Sequence, residues 1–202
     1  MNKPIFIETI KIVDGICQNI ASNIARISRT TSRFYNTTIS ISKKEVENQI
    51  PEDLRNGVVK CRITYSSFVH TIEFEAYQLR KIKSLKLING DCIDYTYKYA
   101  NRDDLQKLLS KKEGSDEILI VQNGYVTDTS YSNVVFVNKQ GLFTPSTFLL
   151  AGTKRNLLLE TGIIKEVEIK VSDLDKYKGI YLINAMIDID DDVYIEIENV
   201  KR

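Results

Sequence analysis

The sequence predicts an α+β fold built as two parts, and three observations carry that expectation. Runs of alternating apolar residues come in groups with helices interspersed, without the regular strand–helix rhythm of a doubly wound sheet. The chain of 202 residues suffices for one large domain or two small ones sharing an interface. No G-x-G-x-x-G and no G-x-x-x-x-G-K-S/T stretch occurs, so the nucleotide-binding fingerprints are absent.

Residues 5–10 read as a short strand, and Asp14-Gly15 punctuates the chain as a tight turn does. Ile20, Ile24, Ile27 and Phe34 follow helical spacing and predict a helix over 19–34. Residues 58–65 and 68–74 are β-rich runs separated by two serines, which predicts a hairpin. Around 76–87 the pattern turns basic and loses alternation, as a connection would. It divides a small N-terminal α+β domain, 1–76, from a larger C-terminal domain, 77–202. Beyond it, 101–109 reads as a helix and 118–122, 125–127 and 134–138 as strands, with Asn123-Gly124 as a hairpin turn. A strand at 142–144 follows the turn Lys139-Gln140-Gly141. Residues 152–159 read as a helix, 163–171 and 180–183 as strands, and the tail from Ile187 alternates like a final hairpin.

Composition excludes several classes. The chain is 43% hydrophobic and 27% charged, with 28 Lys and Arg against 27 Asp and Glu, a net charge of +1. That balance predicts neither a nucleic-acid nor an anionic-membrane partner, because both need an excess of positive charge. The opening residues are no secretory signal and no apolar run is long enough to span a bilayer, so a cytoplasmic location is expected. Cys17, Cys61 and Cys92 are odd in number and widely spaced, matching neither a zinc pattern nor a disulfide framework.

The single histidine, His70, lies in a strand and reads as a packing or surface residue, and no nucleophile-elbow motif occurs. Asp188, Asp190, Asp191 and Asp192 lack EF-hand spacing and read as a solvated turn, so no metal is expected. Four other features each have an ordinary and a chemical reading. Lys98, among Tyr95, Tyr97 and Tyr99, is either a snorkelling surface lysine or an amine aimed into a site. The stretch Leu150 to Arg155 is an ordinary helix start capped by Thr153, or an anion cradle with Gly152 allowing close approach. Arg26 is a surface arginine or a fixed guanidinium, and Asp128 an Asx-turn or a placed acid. Taken together, a lysine, a carboxylate, an arginine and a phosphate cradle are the inventory for holding pyridoxal 5′-phosphate.

In order through nearly the whole chain, the sequence resembles the fold-type IV pyridoxal-phosphate enzymes, the class IV aminotransferase superfamily. Phe6-Ile7-Glu8-Thr9-Ile10 and Asp14-Gly15 are similar to its F-E-T opening strand and D-G turn. Asn23-Ile24-Ala25-Arg26 is similar to H-x-x-R, with asparagine in the histidine position, and implies that Arg26 meets the cofactor phosphate. Lys98 matches the Schiff-base lysine. The stretch Asp128 to Phe136 resembles the motif E-x-x-x-(x)-N-(I/L)-F, which implies that Asp128 faces the pyridine nitrogen and that Asn133 belongs to the cofactor site. Aspartate stands where the family usually has glutamate, so the acid is one methylene shorter. Leu149 to Arg155 resembles the L-x-G-(I/V)-T-R phosphate cup, one residue short, and implies phosphate contacts from Gly152 and Thr153. Asn184-Ala185-Met186 resembles a late loop closing the pocket, with Ala185 toward the cofactor and Asn184 and Met186 toward the substrate.

The resemblance implies a two-domain D-amino-acid aminotransferase-like fold with a small N-terminal domain and a C-terminal pseudo-barrel. It also implies a homodimer acting on a small-molecule amine, and a chain with trimmed substrate loops. Lys98-Tyr99-Ala100-Asn101-Arg102 has the form K-x-x-N-R of the 4-amino-4-deoxychorismate lyase branch, which makes 4-aminobenzoate and pyruvate for folate synthesis. An arginine-rich R-G-Y segment is not visible, and Arg62 is the nearest candidate for a substrate carboxylate. An aminotransferase for branched-chain or D-amino acids, and a cofactor-binding pseudoenzyme, are the competing readings.

Overall fold

The computed structural model describes residues 3–202. Contacts divide the chain into two units, Met1–Leu79 together with Tyr97–Asn101, and Arg80–Thr96 together with Arg102–Arg202. The first unit is thus discontinuous in sequence, and the segment bearing Lys98 belongs to it.

The first unit holds β1 (Phe6–Val13), β2 (Ile16–Cys17), α1 (Ile20–Tyr35), α2 (Lys43–Glu47), β3 (Val58–Tyr65) and β4 (Val69–Ala76). The strands form one antiparallel sheet in the order β2-β1-β3-β4. Asp14 and Gly15 both take positive φ, 47° and 78°, the twist a two-residue hairpin needs to turn β1 into β2. Alternation decides the faces: Phe6, Ile10 and Ile12 on β1 stand opposite Tyr65, Cys61 and Val59 on β3. Ile20 and Ile27 of α1 belong to the same core, as the helical spacing predicts. Along the β1 edge that also carries β2, the Ile7 N–H donates to the Lys98 carbonyl at 3.0 Å and the Ala100 N–H to the Ile5 carbonyl at 2.8 Å.

The second unit holds β5 (Leu85–Asn89), α3 (Asp103–Leu109), β6 (Glu117–Gln122), β7 (Tyr125–Thr129), β8 (Asn133–Asn138), β9 (Gly141–Pro145), α4 (Thr153–Glu160), β10 (Lys165–Val167), β11 (Gly179–Ile183), β12 (Tyr194–Glu196) and β13 (Val200–Lys201). It contains two sheets, ordered β13-β5-β6-β7 and β10-β9-β8-β11-β12. The chain passes from one to the other at a sharp corner, where the Thr129 N–H donates to the Ser132 carbonyl at 2.9 Å. No helix among the described residues is long and apolar enough to cross a membrane.

Three expectations are corrected. The basic tract after residue 76 is not all connection, because Leu85–Asn89 is a strand lying parallel beside β6. The strand expected over 163–171 shrinks to Lys165–Val167, followed by a 3-10 turn at Val171–Lys176. The tail is not a hairpin. The run of aspartates makes a 3-10 turn at Ile189–Asp191, capped by Asp188 and ended by Asp192 at φ 52°. The two remaining β stubs then pair with different sheets, β12 with β11 and β13 with β5.

Candidate active site

In the first unit Glu8 occupies an inward position of β1, opposite Ile63, and is fully buried. A carboxylate there needs partners, and α1 supplies two from successive turns of one face. Arg26 donates Nε to Glu8 Oε2 at 2.9 Å and Nη2 to Oε1, a two-pronged pair. Asn23 Nδ2 donates to Glu8 Oε1 at 3.0 Å and to the Thr9 carbonyl at 2.9 Å. Lys98 Nζ lies 3.8 Å from Glu8 Oε1, its side chain 19% exposed. Burial pushes the Glu8 carboxyl up. The charges of Arg26 and Lys98 and the hydrogen bonds from Arg26 and Asn23 outweigh it and hold Glu8 below its ordinary value.

Lys98 is aimed by its backbone. The Tyr99 N–H donates to the Tyr97 carbonyl at 2.9 Å, closing a three-residue turn centred on Lys98. Tyr97 and Tyr99 pack on Phe34 and Phe6 at centroid distances of 4.7 and 5.2 Å. The two tyrosines anchor the turn in the core while the lysine between them meets Glu8. Arg62 is elsewhere. It alternates with buried Cys61 and Ile63, so its side chain stands on the other face of the sheet, along an open groove of about 430 Å³ with Lys60 and Glu73. The unit brings Lys98 and Arg26 together and leaves Arg62 apart.

In the second unit Asp128 is buried at the inner end of β7 and is not an Asx-turn. Its Oδ2 accepts the backbone N–H groups of Leu149 and Leu150 at 2.9 and 3.0 Å, and its Oδ1 accepts Asn133 Nδ2 at 2.7 Å. Burial pushes this carboxyl up to about 6, although Asn133, the two amides and the charge of Arg155 pull the other way. Asn133 also donates to the Leu150 carbonyl at 2.9 Å, so the acid and the amide together fix the loop that leads into α4. Gly152 is the N-cap of α4, with no side-chain cap bond, so Thr153 is the first helical residue and not the cap. A Cβ on Gly152 would collide with Asn133 Oδ1, which explains the glycine. Behind the helix start, Lys154 pairs with Asp188, and Arg155 is buried with Glu166 and the Pro145 carbonyl as partners.

Asn184 organises its own loop. Its Oδ1 accepts the N–H groups of Met186 and Ile187 at 2.8 and 3.1 Å, and its Nδ2 reaches the Tyr131 carbonyl at 3.4 Å. Met186 is buried in this unit, while Ala185 is partly exposed. Glu8, at the centre of this buried cluster, is the residue that motif reading passed over. Its signal was present: a charge in phase with Phe6, Ile10 and Ile12 on an otherwise apolar strand face, with Asn23 and Arg26 one helical turn apart.

The donor set fits pyridoxal phosphate. The first unit offers one accessible amine beside fixed charges and aromatic rings. The second offers a buried carboxylate, with three donors against a capacity of about four. It adds a helix N-terminus closed by glycine, the arrangement that receives phosphate.

Residues 6–189 match the family described as amino-transferase class IV. An uncharacterized protein of Haemophilus influenzae is 34% identical over 184 residues, covering 91% of this chain and 97% of the relative. A crystal structure of a candidate 4-amino-4-deoxychorismate lyase from Haemophilus somnus 129PT is 34% identical with a TM-score of 0.83, over 92% of this chain and 98% of that one. A hypothetical aminotransferase from Mycobacterium tuberculosis in its PLP-bound form shares the fold at 16% identity, with a TM-score of 0.72 over 91% of this chain and 78% of that one.

Proposed function

The chain belongs to the class IV aminotransferase family and is a pyridoxal-phosphate-dependent enzyme, and from that premise we propose that it is a lyase converting 4-amino-4-deoxychorismate to 4-aminobenzoate and pyruvate. The observation that carries this choice is the 34% identity, over nearly its whole length, to the Haemophilus somnus protein of that proposed activity. The K-x-x-N-R form at Lys98 to Arg102 supports it.

In this reading the Lys98 amine would hold the cofactor. Asp128, ionised above about 6, would meet the pyridine nitrogen with the lone pair that Asn133, Leu149 and Leu150 leave to it. The amides opening α4 at Gly152 and Thr153 take the phosphate, and a contribution from Arg26 would come from the guanidinium edge turned away from Glu8. When bound, pyridoxal phosphate supplies the electron sink for the pair left at the substrate carbon. The free Lys98 amine would take the proton from the ring carbon that bears the substrate's amine. The ether bond to the three-carbon enol then breaks, the ring becomes aromatic, and Lys98 returns the proton to the enol carbon, giving pyruvate. Asn184, Ala185 and Met186 would shape the loop over the substrate; Arg62, on the other face of its sheet from Lys98, is no longer the candidate for the substrate carboxylate. We place the enzyme in the cytoplasm as a homodimer serving folate synthesis.

The test is the near-visible absorption of the purified protein, borohydride reduction with peptide mapping, then turnover assays. A yellow protein whose reduced adduct maps to Lys98, and which releases 4-aminobenzoate and pyruvate from 4-amino-4-deoxychorismate, bears the proposal out. Keto-acid production from branched-chain or D-amino acids without 4-aminobenzoate replaces the lyase by an aminotransferase. A colourless protein that cannot be reconstituted overturns both. Lys98→Ala should lose at least about 10⁴-fold in turnover with an unchanged circular-dichroism spectrum, as expected when a nucleophile and general base is removed.

A further inference from the structure

We propose that Glu8 is a positioning residue for Lys98: a buried carboxylate, fixed by Arg26 and Asn23, makes the Lys98 nitrogen a stronger base and fixes its direction. The inference rests on the reading of Lys98 as the cofactor lysine. It gives Arg26 a first duty toward Glu8, whatever else its guanidinium meets.

The geometry carries the argument. Glu8 has no route to water, and both its oxygens are held by Arg26 and Asn23 at hydrogen-bond distance. Lys98 Nζ at 3.8 Å is beyond a hydrogen bond but well inside the range where an opposite charge governs protonation. Low local dielectric strengthens that coupling. Because Glu8 cannot swing away, its influence on the nitrogen is constant through a cycle in which Lys98 must accept a proton from carbon and later give it up. Arg26 limits the effect by taking up part of the Glu8 charge, so the base strength of Lys98 is set by a balance of two buried ions.

Glu8 from β1 and Arg26 from α1 face Lys98. Tyr97 and Tyr99 flank it in its own turn. Tyr65 on β3, beside Glu8 and Arg26, is pushed up to about 12, by burial first, and stays neutral over the useful range.

The experiment uses the cofactor-free full-length protein, acylated with trace acetic anhydride from pH 6 to 11, with the modification of Lys98 followed by peptide mapping. Its 19% exposure admits the reagent. Glu8→Gln removes the attracting charge and leaves Arg26 to repel, so the labelling midpoint should fall by about one unit or more and the rate at pH 8 rise about 10-fold. Arg26→Gln should move the midpoint upward. The double variant, which removes both ions and suits a fold that tolerates neither single change, should fall less than Glu8→Gln. A purely structural role would move all three in one direction. That result, or an unchanged midpoint in a folded Glu8→Gln or double variant, overturns the proposal. In the holoenzyme Glu8→Gln should lower kcat more than it raises KM. Borohydride mapping to a different lysine would sink the functional reading alone, because acylation measures the Glu8–Lys98 coupling without cofactor.

Discussion

Glu8 in the first unit and Asp128 in the second are carboxylates buried to a similar degree, each holding a loop or helix through several hydrogen bonds. Their protons behave in opposite ways. Glu8 is met by a guanidinium and an ammonium and is held below its ordinary value. Asp128 is met chiefly by an amide and two backbone N–H groups and is pushed up to about 6. Desolvation acts on both, so what separates them is whether the nearby donors carry charge. Neutral donors satisfy the geometry of a carboxylate but repay only part of what it loses on leaving water.

Arg26→Met is the largest way to break the contrast, because it leaves the Glu8 charge buried with Lys98 as its remaining cation. A loss of about 3–5 kcal/mol in urea unfolding at pH 7 is expected. The loss should shrink toward pH 4, where Glu8 can take a proton. Asp128→Ala follows, stranding two loop amides and one of the two N–H groups on Asn133 Nδ2. It should cost about 2–4 kcal/mol and loosen the start of α4, readable as faster amide exchange at Leu149 and Leu150.

The smallest effect sharpens the comparison through pH. A group with a lowered value, Glu8, adds stability that is present above its unfolded value and is lost as pH falls through its folded one. A group with a raised value, Asp128, adds stability below about 4 that is lost as pH rises through about 6. Asp128→Asn should therefore flatten the stability profile between pH 4 and 6 by about 1–2 kcal/mol. A variant profile parallel to that of the native protein would show that Asp128 does not titrate there.

Legibility followed the length of the pattern. Strands such as β1 and β3 could be read because alternation runs through them, β8 because its apolar run is continuous, and α1 because its stripe covers four turns. β5 was hidden because Lys86 interrupts its apolar residues and Lys81 and Lys83 stand just before it, so the stretch mimics a connection. The tail misled because Tyr194 to Val200 alternates as a hairpin does, while its two stubs pair apart from each other, β12 with the preceding strand β11 and β13 with β5, far back in the sequence. At the site, Lys98 and Asp128 were legible only through family resemblance, since one charged residue carries no period. Glu8 was legible by phase alone, and a motif that treated its glutamate as a letter obscured the question of what neutralises it.

The turn that presents Lys98 is stitched to an edge of β1 that is synthesised long before it. On the ribosome, β1 to β4 emerge first and can pair among themselves, yet part of the β1 edge stays bare until Tyr97–Asn101 clears the exit tunnel. By then the residues of β5, a strand of the other unit, have also been made, while its partners β6 and β13 have not. A bare edge offers itself to any passing strand, so a pause in translation across residues 80–96 would lengthen the interval of greatest aggregation risk. The catalytic lysine of the proposal is thus the last stitch in the first sheet, and a nascent chain cannot acquire it before that sheet is otherwise complete.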